Sequence, residues 1–208
     1  MFVENRLVFL NPHDGTLGNG LGREGLGPEC VQGGIAQEQI MIAETEGMVD
    51  FPSERDNLTA LEIKKWKQFL FTSLNPSFSF DELIREMEKR VGWMPIENFK
   101  FDANRSQEYL VRANWALYCD NYLEGFHIPY IHKDLAKTLD ASGYLSEIYQ
   151  FSNLQLGVAQ GGELAFDLPA SSPDFGKRVG AYYFWLFPNM MFNFYPWGLS
   201  INIIRPLK

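Results

Sequence analysis

The sequence predicts an α+β chain in which an antiparallel sheet carries a few helices. Three observations predict it. A capped amphipathic pattern marks a helix over residues 79–92, five strand-length runs follow one another after residue 144 with turn signals between them, and one aromatic-rich segment, residues 114–132, opens at helical spacing.

In chain order, residues 1–46 differ from the rest. Glycines crowd residues 15–34, with Pro12 and Pro28 beside them, and apolar periodicity is poor, so a loop-like or poorly packed stretch is expected. No Gly-x4-Gly-Lys-Ser/Thr is present and no strong strand leads into a helix, which removes a phosphate-loop reading. Further on, Ser79-x-x-Glu82 is a capping box. Asp81 and Glu82 sit at the positive end of the helix, and Phe80, Leu83, Ile84, Met87 and Val91 form one apolar stripe. Lys89, Arg90 and Gly92 end it. Residues 99–103 and 107–113 read as two short strands turned at Asn104-Arg105. After residue 132, strands are expected over 144–151, 153–159, 181–187, 190–195 and 199–204. Gly161-Gly162, residues 169–173 and Pro196-Trp197-Gly198 mark the breaks. Phe184, Phe187, Phe192, Phe194 and Trp197 are candidates to line a substrate pocket, although aromatics at strand spacing are most often core.

Composition narrows the function classes. Hydrophobic residues make up 46% and aromatics 15%, which suits a deep apolar pocket, and a formal charge of -8 argues against nucleic acid and against an anionic membrane surface as partners. No basic stretch precedes an apolar run at the start, and no apolar run approaches membrane-spanning length, so a cytoplasmic protein with no membrane contact is expected. Cys30 and Cys119 read as free thiols.

Residues 114–132 hold two of the three histidines. Asn114 is a good N-cap, and Trp115, Tyr118, Tyr122 and Leu123 fall at helical spacing, which predicts a buried helix. Asp120, Glu124 and His127 stand at i, i+4 and i+7, along one face. Carboxylates and imidazoles persist in a core when they pair or bind metal. His127 and His132 would diverge on an unbroken helix, but Pro129 should end or kink it between them and let both imidazoles converge. The spacing alone leaves open a second reading, a satisfied core histidine and an unrelated exposed one.

Asn114-Trp115, then Asp120-Asn121-Tyr122-Leu123-Glu124-Gly125, then His127-x4-His132 resembles the iron-binding segment of Rieske-type non-haem iron oxygenases, the α subunits of ring-hydroxylating dioxygenases and their choline-monooxygenase-like relatives. The resemblance implies His127 and His132 as ligands of a mononuclear Fe(II). It also implies Glu124 as the carboxylate that links this iron to the 2Fe–2S Rieske cluster of a neighbouring subunit, although the family usually has Asp there. Two imidazoles and a carboxylate on one side of Fe(II) leave the other side for dioxygen and substrate. A carboxylate such as Asp120 or Glu124 would orient a ligand imidazole through its other ring nitrogen.

Residues 51–58, and Trp66-x2-Phe69-x-Phe71-x2-Leu74-Asn75-Pro76, resemble the close of the Rieske domain and the connector, here 47–78. Residues 79–208 then resemble part of the catalytic domain. The family carries Cys-x-His and Cys-x2-His upstream as cluster ligands. Here His13 and Cys30 have no partners at those spacings, so residues 1–46 are expected to be a diverged remnant or the product of a shifted reading frame. The third iron ligand of the family, an Asp or Glu on a late helix, has no match; Glu147, Glu163 and Asp167 do not fit its context.

The fold implied is an incomplete copy of the family's helix-grip domain, a curved antiparallel sheet gripping a helix. The implied activity is dioxygen-dependent hydroxylation of an aromatic or quaternary-ammonium substrate. Electrons would come from NAD(P)H through a reductase or ferredoxin, in a homotrimer. Lacking cluster ligands and a third carboxylate, the chain alone is expected to be inactive or to depend on partner chains. Two other classes are a non-catalytic hydrophobic-ligand module of the same fold and a Zn(II) hydrolase using both histidines.

Overall fold

The computed structural model describes residues 2–10, 49, 53, 60–139 and 143–207. The chain divides into two units, Leu21–Ser77 and the combination of Met1–Gly20 with Phe78–Lys208. His13 and Cys30, which have no partners at cluster-ligand spacing, lie outside the described residues.

In the smaller unit, β2 (Ile63–Trp66) and β3 (Phe69–Thr72) pair antiparallel across a tight turn in which Lys67 takes a positive φ of 53°. Trp66 and Phe69 stack at 6.0 Å where the hairpin closes.

The larger unit is built on a seven-stranded antiparallel sheet in the order β4-β1-β9-β8-β7-β6-β5. Its strands are β1 (Phe2–Leu10), β4 (Phe99–Leu110), β5 (Leu145–Ile148), β6 (Ser152–Val158), β7 (Val179–Leu186), β8 (Met190–Tyr195) and β9 (Gly198–Arg205). The last five form a meander, each pairing with its successor, through short turns except between β6 and β7, where residues 159–178 make the connection. The helices are α1 (Phe80–Val91), α2 (Trp115–Leu123), α3 (Ile128–Ile131) and α4 (Lys133–Thr138). Among the described residues no helix is long and apolar enough to cross a membrane.

Three expectations change here. The start of the chain is not uniformly loop-like: Phe2–Leu10, which contains no glycine or proline, forms β1 and fills the position between β4 and β9. Residues 99–110 are one strand rather than a hairpin, because both halves run the same way along β1. The register jumps from Asn5↔Gln107 to Leu7↔Asp102, so the turn-forming residues between make a bulge. Asp102 Oδ1 stabilises it by accepting from the amides of Asn104 at 2.9 Å and Arg105 at 3.3 Å. Finally, Phe184, Phe192 and Phe194 are buried core, whereas Phe187 and Trp197 are exposed and Phe187 lines a depression on the surface.

Strand alternation and register give the sheet two different faces. One presents Leu154, Leu156, Tyr182, Phe184, Phe192, Phe194 and Leu199, all buried. α1 lies on this side. Its capping box forms as the sequence predicts, with the Ser79 side chain accepting from the Glu82 amide, and Leu83, Ile84, Met87 and Val91 are its buried stripe. At its end the buried Arg90 donates to both carboxylate oxygens of Asp174 at 2.7 Å and to Glu147 at 2.6 and 2.7 Å. Lys177 and the Tyr182 hydroxyl also reach Asp174. Burial opposes the charges, yet the mutual pairing outweighs it: Arg90 is held above its ordinary pKa, and Asp174 below its own. Glu147, one of the acids considered as an iron ligand, is thus committed to Arg90 on this side.

The opposite face presents Asn153, Gln155, Tyr183, Trp185, Asn193, Tyr195 and Ser200. α2 lies across it, with Cys119 packed against Met191 and Ile204 and with Trp115, Tyr118 and Tyr122 beside them.

Candidate metal-binding site

α2 starts where its cap dictates. The Asn114 side chain accepts from the Ala116 amide at 2.9 Å with Asn114 itself extended. The helix ends earlier than the sequence predicts. Glu124 is extended, at φ -125° and ψ 156°, so the break precedes His127 rather than falling between the histidines. Pro129 does not kink α2; it stands in the first turn of α3, where a missing N–H costs no helical bond. Nor is the segment buried throughout: Cys119 is its one buried residue in α2, while Leu117, Phe126, Tyr130 and Ile131 are 64%, 86%, 78% and 71% exposed.

The early break brings Glu124 and His127 together by a route other than a shared helical face. The Glu124 carboxylate folds forward over the next three residues. One oxygen accepts from the Phe126 amide and, at 3.3 Å, from the His127 amide; the other meets His127 Nδ1. The carboxylate thereby takes up amides that open α3, while the α3 turn closes through Ile131 N–H to the His127 carbonyl at 2.8 Å. Burial alone would raise the Glu124 pKa, but the bonds from the His127 ring and the Phe126 amide outweigh it and hold the carboxyl below its ordinary value.

His132 follows at the end of α3, and its ring stands edge-on to that of His127, centroids 5.0 Å apart and planes at 71°. A carboxylate against Nδ1 is the contact by which an imidazole can be oriented for metal binding through its other ring nitrogen. Two imidazole rings thus lie in contact beside one carboxylate. Among the described residues no group of three or more His, Cys, Asp and Glu is placed to hold a metal ion.

Asp120 does not join them. It is exposed and lines an open depression of about 660 Å³ with Trp115, Cys119, Leu123, Trp185 and Phe187. The physical reason is the helix end at Leu123: the i, i+4, i+7 alignment of Asp120, Glu124 and His127 requires a helix that has already stopped.

Sequence reading missed the residues beneath the histidine segment. Gln155, in the middle of β6 and 2% exposed, donates from Nε2 to the Tyr122 carbonyl and accepts at Oε1 from the Tyr144 hydroxyl at 2.6 Å. The Tyr122 hydroxyl donates to Asn193 Oδ1 at 2.7 Å, and Asn193 Nδ2 to the Ser200 carbonyl at 3.2 Å. Burial, with the Glu124 carboxylate adding to it, pushes the Tyr144 phenol above its ordinary pKa, so it remains a donor. The available signal was a glutamine flanked by two leucines in the strand SNLQLGV.

Comparison with known proteins follows the same segment. The sequence profile described as ring hydroxylating alpha subunit (catalytic domain) matches residues 89–208, more than half of the chain. Choline monooxygenase from Arabidopsis thaliana, a chloroplastic protein, is 29% identical over 182 residues, covering 81% of this chain and 41% of the relative. The carnitine monooxygenase oxygenase subunit of Acinetobacter pittii is 26% identical over 159 residues, covering 74% of this chain and 41% of its own length. The chain therefore spans about two fifths of the curated relatives it matches. Among solved structures, a quaternary ammonium Rieske monooxygenase described in terms of carnitine oxidation and inter-subunit electron transfer aligns at a TM-score of 0.56 and 20% identity. That alignment covers 78% of this chain and 47% of the other. A crystal structure of a quaternary ammonium Rieske monooxygenase with an inhibitor aligns at 0.55 and 18%, covering 80% and 49%. These alignments show the fold.

Proposed function

The chain belongs to the ring hydroxylating alpha subunit family, through its catalytic domain, and from that premise we propose that it is part of a Rieske-type oxygenase that hydroxylates an organic substrate with dioxygen. The observation that carries this reading is the Glu124–His127 pair with the His132 ring beside it. His127 and His132 would hold Fe(II), which when bound supplies the activation of dioxygen; the donor types suit it, and among the described residues no third ligand stands with them.

What this chain's own residues do follows from their bonds. Glu124 fixes the tautomer and orientation of His127. A carboxylate on Nδ1 raises the basicity of the metal-facing nitrogen and leaves its second oxygen directed along the α3 amides. In an assembled enzyme Glu124 would link the iron site to a 2Fe–2S cluster carried by a partner chain, the Cys-x-His and Cys-x2-His pairs being absent from these residues, and NAD(P)H-derived electrons would arrive through a reductase. Residues 47–78 then serve as the close of the Rieske domain and the connector. The naming of the relatives as choline and carnitine monooxygenases supports a quaternary-ammonium substrate. The free, buried thiol of Cys119 supports a reducing, cytoplasmic setting.

Anaerobic loading with Fe(II) or Co(II), followed by metal analysis, tests the site. About one ion per chain is expected, lost in both His127→Ala and His132→Ala; uptake that is the same in wild type and variants would remove the reading. A second reading, a module for hydrophobic ligands, rests on the apolar depression beside α2. Binding of an apolar probe that persists in both histidine variants and is lost in Trp185→Ala favours it.

A further inference from the structure

Gly125 follows the C-cap of α2 but does not take the positive φ of a left-handed helix cap, and the last carbonyls of the helix have no intrahelical donors. One of them, Tyr122, is satisfied by Gln155 from the sheet. A primary amide 2% exposed in a buried strand is costly unless both of its ends are used, and here both are, on Tyr122 and Tyr144. Nε2 takes the end of α2. Oε1 takes the Tyr144 hydroxyl, whose ring in turn walls the residue that follows Glu124: a Cβ added at Gly125 would come within 2.8 Å of Tyr144. The amide has one orientation, because a carbonyl only accepts and so Nε2 must face Tyr122.

We infer that Gln155 and Tyr144 are positioning residues that hold the Glu124–His127 segment in its metal-binding geometry, Gln155 as a helix cap supplied by the sheet and Tyr144 as the wall against Gly125. Neither touches the histidines. Their action runs through the backbone of residues 122–125, which sets where the Glu124 carboxylate meets His127. The metal part of this inference rests on the function proposed above; the backbone part does not.

The test uses Tyr144→Phe, which removes only the hydroxyl that donates to the amide oxygen, and Gln155→Met, which keeps the volume and removes both bonds. Amide hydrogen exchange at Phe126, His127 and Ile128 is followed in the metal-free protein beside a visible-absorption titration with Co(II), and thermal melting identifies any variant that fails to fold. The expected result is exchange faster by roughly tenfold, the equivalent of one hydrogen bond, confined to this segment, with Co(II) affinity reduced several-fold. Wild-type exchange and wild-type Co(II) affinity in a folded Tyr144→Phe protein would overturn the inference, whether or not Gln155→Met folds. Faster exchange in the variants together with no Co(II) uptake by the wild type upholds the positioning role and removes the metal-site reading instead.

Discussion

On the side of the sheet under α1, β6, β7 and β8 present Leu154, Leu156, Phe184, Phe192 and Phe194, and the polar groups there are gathered into one ion cluster around Arg90. On the other side the same three strands present Gln155, Tyr183, Asn193 and Tyr195, each within a polar or aromatic contact that leads toward α2. The difference teaches how a strand of period two divides its labour. Alternate residues make a close-packed apolar layer that supplies stability through buried area, while the intervening ones make directional bonds that place a helix end. Stability and placement can then be altered separately.

The largest effects should come from the α1 side. Arg90→Met leaves Asp174 buried without its main partner and is expected to cost about 3–5 kcal/mol in urea unfolding; a cost below 1 kcal/mol would show that the cluster is not a buried unit. Phe184→Ala, wholly buried, should cost about 3–5 kcal/mol by the same measurement, with Co(II) affinity unchanged in the folded fraction. Acid unfolding sharpens the contrast. Asp174 and Glu147 both have depressed pKa values in the folded state. Their contribution is therefore complete above their ordinary values of 3.8 and 4.5, and is lost as pH falls through the lower folded values. A stability curve that declines below pH 4.5, and a flatter decline in Asp174→Asn, are expected. Smaller effects belong to the α2 side. Asn114→Ala removes the helix cap and should cost about 1 kcal/mol. Tyr122→Phe leaves Asn193 Oδ1 without its donor and should cost about 1–2 kcal/mol while loosening α2 on the sheet, read as faster amide exchange in residues 119–123.

Local signals were legible where one short stretch decides the outcome. The capping box at Ser79 and Glu82, the stripe Leu83, Ile84, Met87 and Val91, the cap at Asn114 and the strands of the final meander all form as the residues predict. The same logic failed where a distant partner decides. Asn104-Arg105 has turn chemistry, yet the strand continues past it because β1 pairs with both halves. The i, i+4, i+7 spacing of Asp120, Glu124 and His127 was read on a helix that tertiary contacts end at Leu123. Phe192 and Phe194 carry the same local pattern as pocket-lining aromatics and are core because α1 and the sheet close over that side.

By itself the sequence determined the class of the chain, the capped helices, the order of the late strands and the presence of His127, His132 and Glu124 in one segment, since these depend on propensity, capping and residue type within a few positions. Only the tertiary structure decided which side of the sheet the segment lies on, that Glu124 reaches His127 by folding forward from an early helix end, that Asp120 faces outward, and that Gln155 and Tyr144 stand beneath them. The reason is separation along the chain. Gln155 lies 33 residues from the carbonyl it caps, and no local pattern specifies a bond across that distance.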